Sequence, residues 1–142
     1  MNRRELLAGV GTVVAGSAFL SGPIALAATP ENLGAILAAC VEKGEACIGM
    51  CMSEMAKGNK DMAKCNQKVH EMVAICKAMQ SLVSYKATDR LKDMAKVCMT
   101  ACKECADSCA EHKAHWATHH AECKDCHDEC MKTIDAIKKA YA

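Results

Sequence analysis

Beyond residue 28 the chain alternates between two kinds of position. Apolar side chains and cysteines recur every three or four residues, and Lys, Glu, Asp and Gln fill the places between them. An α-helix turns about 100° per residue, so this spacing collects one apolar stripe on one face. Four such stretches are predicted. Thr29 and Pro30 form a helix start with Glu31 as an early acid, and helix one runs to about Lys57. Gly58-Asn59 marks a turn, helix two spans about Lys60 to Val83, and Ser84 to Ala87 connect onward. Thr88-Asp89 is read as the cap of helix three, which continues to about Lys113. A histidine-rich turn around Trp116 follows, and Thr118 is read as the cap of a fourth helix reaching about Lys139. Short connections make neighbours antiparallel, so the fold expected is all-α, an up-down-up-down four-helix bundle.

What occupies the buried stripes is unusual. Twelve cysteines, Cys40, Cys47, Cys51, Cys65, Cys76, Cys98, Cys102, Cys105, Cys109, Cys123, Cys126 and Cys130, stand where Leu, Ile and Phe ordinarily would. Only Tyr85, Trp116 and Tyr141 supply aromatic rings to this part of the chain, so a cysteine-lined core is expected. Counting about 1.5 Å per residue from the end holding the first and third turns sorts the thiols by height. Cys51, Cys65, Cys109 and Cys123 come out highest, then Cys47, Cys105 and Cys126, then Cys102 and Cys130, with Cys40, Cys76 and Cys98 deepest. Beyond them Leu33, Ile36, Leu37, Met79, Leu82, Leu91, Met94, Ile134 and Ile137 close the far end as a hydrophobic core.

At the other end Met55, Met62, His112, His115, His119 and His120 gather into a mouth. Thioethers and imidazoles above a thiolate-lined shaft offer weak ligands first and strong ones deeper, an arrangement suited to Cu(I). Met72, between Cys65 and Cys76 on one stripe, reads as core filler or ligand, and His70, off the stripe, as a solvated side chain.

The first 27 residues read as an export signal. Arg3 and Arg4 precede an apolar run from Leu6 to Leu20, and Ala25-Leu26-Ala27 is a small-x-small cleavage pattern. The run is too short and glycine-dotted to span a bilayer. Asn2-Arg3-Arg4-Glu5-Leu6-Leu7 resembles the twin-arginine motif, so the expectation is a folded, periplasmic protein with its domain at 28–142. Removing Arg3, Arg4 and Glu5 takes 18 basic and 17 acidic residues to 16 and 16. A neutral domain carries no footprint for nucleic acid, and nothing after the signal reads as a membrane segment.

Other uses of cysteine fit the spacing less well. A disulfide-linked bundle is disfavoured because i,i+3 and i,i+4 neighbours point in parallel with Cβ atoms about 5 to 6 Å apart, beyond disulfide reach. The pairs Cys102, Cys105 and Cys123, Cys126 match a four-cysteine zinc spacing but leave most thiols unexplained. Cys123-Lys124-Asp125-Cys126-His127 is formally a c-type haem attachment sequence, which makes a haem-carrying bundle the alternative reading. Iron–sulfur ligands usually include loop cysteines, and catalytic C-x-x-C pairs favour helix N-termini, so neither fits. No constellation for catalysis is evident, and no enzyme is expected.

Three features together resemble the bacterial copper storage proteins, particularly their exported members. They are the run Cys98-x-x-x-Cys102-x-x-Cys105-x-x-x-Cys109, the histidine-rich turn, and Cys123-x-x-Cys126-x-x-x-Cys130, set in a four-helix layout. The resemblance implies a bundle holding many Cu(I) ions along its core with all twelve cysteines as ligands. It also implies a homotetramer, and copper supply or protection from copper toxicity through an acceptor protein or chelator. Among Met50, Met55, Met62 and the rim histidines it does not fix which touch metal. Protonated cysteine behaves as a small hydrophobe, so the metal-free bundle is expected to stay folded.

Overall fold

A computed structural model describes residues 30–141. The expected export signal at 1–27, the expected domain start at 28 and the expected Thr29 cap lie outside the described residues. Four helices follow in order, α1 (Pro30–Ala56), α2 (Met62–Ser84), α3 (Thr88–Ala110) and α4 (Ala121–Tyr141), with a short 3₁₀ turn at Lys113–His115 between the last two. Each helix packs on two neighbours, α1 on α2 and α4, and α3 on α2 and α4, which makes a square, antiparallel bundle. No strand occurs among the described residues. None of their helices is long and apolar enough to cross a membrane.

The buried stripes are the ones the pattern predicted. All twelve cysteines are buried, alongside the small residues Ala95, Ala101, Ala106 and Ala136, which let the helices approach closely. Leu33, Leu37, Met79, Leu91, Ile134 and Ile137 are buried at the far end, with Ile36 and Met94 packed against them. Gly58 takes φ +94°, a left-handed conformation open to glycine, and its N–H donates to Met55 O at 2.9 Å to close α1. Charged residues cover the outside. Lys77–Glu45 at 2.6 Å, Lys68–Glu104 at 2.8 Å and Lys43–Asp125 at 3.7 Å link neighbouring helices, each worth little in water.

Two expected caps are corrected. The N-cap of α3 is Ala87, with Thr88 already inside the helix. Thr118 does not start α4: its hydroxyl donates to His115 O at 3.3 Å, and Cys123 N donates to His120 O at 3.1 Å, so the helix begins after His120. Helix three also stops early, at Ala110 instead of Lys113. The break is satisfied locally. Trp116 Nε1–H donates to the carbonyl of Cys109 at 3.2 Å, which also accepts from the N–H of His112 at 3.1 Å, and the N–H groups of Thr118, His119 and His120 converge on His115 O.

Candidate metal centre

The sulfurs form one connected series down the bundle. Cys65 Sγ lies 3.7 Å from Cys109 and 3.9 Å from Cys123, and Cys123 is 3.7 Å from Cys47. Cys105 and Cys126 are 3.6 Å apart, and Cys130 stands 3.9 Å from Cys40. Cys76 lies 3.7 Å from Cys102 and 3.5 Å from Cys98, which ends the series. Four groups have all their sulfurs within 4.8 Å: Cys47, Cys51, Cys65, Cys123; Cys47, Cys109, Cys126; Cys105, Cys126, Cys130; and Cys40, Cys76, Cys102. Cys47 and Cys126 each belong to two of them.

These groups differ from the level-by-level layers expected. Residue counting assigns each thiol the height of its Cα, whereas a helical side chain leans toward the N-terminus of its own helix, in opposite directions on antiparallel neighbours. The thiols therefore bridge adjoining levels, and a ladder replaces discrete rungs.

The spacing suits shared soft metal ions. With a metal–thiolate bond of about 2.3 Å, a trigonal ion holds its sulfurs about 4.0 Å apart and a linear one about 4.6 Å. A disulfide needs about 2.05 Å, and all twelve cysteines are free thiols. The four cysteines of the zinc-like spacing do not form one of the groups, since Cys102 joins Cys40 and Cys76 while Cys123 joins Cys47, Cys51 and Cys65. The haem sequence is also divided. Cys123 and Cys126 face the crowded thiol core, while His127 lies tilted against Trp116 with ring centroids 5.2 Å apart and bonds Asp128 at 2.9 Å.

Proton distribution within the series is uneven. Hydrogen bonds from Cys109, then Cys123, Cys47 and Cys51, hold the Cys65 thiol well below its ordinary range. Cys126 is lowered by Cys105 first, and Cys40 by Cys102 first. Cys98 is pulled down to about 5 by Cys102 and Cys76. Their neighbours move the other way: Cys109 is raised chiefly by Cys105, and Cys76 and Cys130 chiefly by Cys102. Each stretch thus has a thiol that yields its proton first, surrounded by S–H groups that stabilise the thiolate.

The rim is partly as expected. His112 and His115 lie edge-on to His120, with ring centroids 5.6 and 5.5 Å away. His120 is only 4 % exposed, its Nδ1 has no partner, and its Nε2 stands 3.9 Å from the Glu54 carboxylate. Burial, then the neighbouring His112, lowers its pKa and favours the neutral ring, the form that ligates metal. His119 and His70 are exposed, Met55 is half-buried, and Met62 is wholly inside the core instead of lining an open rim. Glu54 is a member of the rim that sequence reasoning misses, because no spacing ties it to a histidine 66 positions away.

No curated relative matches the chain. Residues 29–135 match the copper storage protein family, a storage family and not an enzyme family. That match covers most of the chain and coincides with the thiol-lined bundle, and the protein belongs to the copper storage protein family.

Proposed function

We propose that this protein stores several Cu(I) ions on the thiolates inside its bundle, with all twelve cysteines as ligands. The observation that carries the reading is the connected series of free thiols from Cys51 to Cys98 at spacings suited to two- and three-coordinate ions. Thiolate prefers Cu(I) to hard cations and accepts low coordination numbers, so neighbouring sulfurs share ions along the shaft. Copper enters at the histidine end, where His112, His115 and His120, with Met55 nearby in sequence to Glu54, act as transient ligands, and passes deeper by ligand exchange. Each thiol that binds releases its proton. The chain is exported to the periplasm through the twin-arginine route, assembles as a homotetramer, and yields copper to an acceptor protein or chelator.

Titration of the reduced protein with Cu(I) against a competing chromophoric chelator, with elemental analysis of the loaded product, tests this reading. Many tightly held equivalents per chain are expected. Uptake of only one or two would overturn it.

A further inference from the structure

Of the ten methionines in the chain, Met72 places its sulfur among the thiols. It is fully buried, and its Sδ accepts hydrogen bonds from Cys40 Sγ at 3.5 Å and from Cys76 Sγ at 3.6 Å. Met62 and Met79 are equally buried but have no such contact with a thiol among the described residues. The difference lies in what holds the methyl group. Met72 Cε rests against Gly44 of α1, where even a Cβ would stand 2.8 Å away. A glycine at 44 makes room for that methyl, and the sulfur is left facing Cys40 and Cys76.

We propose that Met72 is a neutral ligand to Cu(I) in the deep half of the bundle, completing a three-sulfur site with the thiolates of Cys40 and Cys76. This rests on the copper-storage reading above. Cys40 and Cys76 lie within 4.8 Å of each other, so the three sulfurs form a triangle whose sides suit a trigonal ion at about 2.3 Å from each. Charge favours a thioether in this place. A Cu(I) ion with two thiolates carries a net charge of −1, and a third thiolate would add another negative charge to a buried site remote from water. A thioether supplies a soft donor without it. On binding, any proton still held by Cys40 or Cys76 is released to solvent, and Met72 releases none.

The test uses the reduced full-length chain and Met72→Leu, which keeps shape and volume. Selenomethionine-labelled wild-type protein loaded with Cu(I) should show a copper neighbour in its selenium K-edge absorption, and M72L should show a weaker one. Chelator competition should show that M72L has lost a tightly held equivalent, or holds it about tenfold or more weakly, since even supporting contacts to ligands change affinity that much. Equal selenium–copper signals and equal copper affinity in the two proteins would overturn the assignment. If M72L folds poorly, the selenium spectrum of labelled, copper-loaded Met50→Leu, Met55→Leu protein decides instead: a copper neighbour that survives the loss of these two methionines supports Met72, and its disappearance overturns the assignment. A wild-type chain that takes up no copper would overturn the storage reading as well, whereas copper uptake without a Met72 signal would overturn this assignment alone.

Discussion

A Cβ placed on Gly44 would stand 2.5 Å from Cγ2 of Val73, across the contact between α1 and α2. Alanine is worth about 1 kcal/mol more than glycine inside a helix, but this position has no room for it. Val73 is β-branched and stiff at χ1, so the clash moves a helix instead of a side-chain tip. Gly44→Ala should destabilise the metal-free protein by about 1 to 3 kcal/mol. Gly49, with nothing within 4 Å of its Cβ position, is the control. Gly49→Ala should stabilise by about 0.5 to 1 kcal/mol. Denaturant midpoints of the two variants moving in the same direction would contradict this account of the α1–α2 contact.

Cys126 belongs to two sulfur groups, whereas Cys98 makes its closest contact at the end of the series with Cys76. Removing a shared ligand disturbs more sites than removing a terminal one. Cys126→Ala is expected to lose more tightly bound copper equivalents than Cys98→Ala, with circular dichroism of both metal-free variants close to wild type. Elemental analysis after gel filtration checks it, and equal losses would argue for isolated ions in place of a shared series.

Stability of the metal-free chain should depend on pH through the same thiols. The Cys98 thiol lies at about 5 in the fold against an ordinary value of 9.0. Between those values the unfolded chain binds a proton that the folded chain does not, so stability rises with pH. Its contribution is full above about 9 and is lost as the pH falls through about 5. The thermal midpoint in the absence of metal should therefore climb from pH 5 to pH 9, and Cys98→Ala should flatten part of that climb. A Cys98→Ala variant whose midpoint climbs as steeply as that of wild type would overturn this role for Cys98.

The helices and buried stripes are legible in the sequence because small, buried cysteines at helical spacing leave one reading of which face turns inward. Helix ends are less so. Thr118 has the chemistry of a cap, yet its hydroxyl bonds back to His115, and the chain reaches helical geometry only after His120. The sulfur groups are legible as a stripe but not as partners, since the lean of each side chain along its helix decides which levels a sulfur bridges, as Cys47 does in reaching Cys123. Contacts between distant segments are invisible. Nothing in the spacing joins Glu54 to His120, sets Trp116 on the carbonyl of Cys109, or packs Met72 on Gly44.

The histidine end should govern the rate of filling and not the capacity. His112 is half-buried and His115 exposed, so both tolerate replacement without disturbing the core. A double His112→Gln, His115→Gln variant should take up Cu(I) several-fold more slowly from a chelator, by stopped-flow absorbance, and reach the same final number of equivalents. A reduced final number would place these imidazoles among the storage ligands.

The bundle should not need metal to fold. In zinc fingers the ligands hold together a chain with too little core of its own, and removing the ion unfolds it. Here Leu33, Leu37, Met79 and Ile137 pack the far end with no exposed surface, and the buried thiols that keep their protons pack as small apolar groups. Circular dichroism of the chelator-stripped, reduced protein should retain the helical signal of the loaded form. Copper then adds stability by mass action, about 4 kcal/mol at a free concentration 1,000 times the dissociation constant. The loaded protein should melt higher than the stripped one, while both begin from the same helical content. A stripped protein without helical signal would mean that copper builds the sheath instead of filling it, and stepwise release to an acceptor would then have to proceed through unfolding.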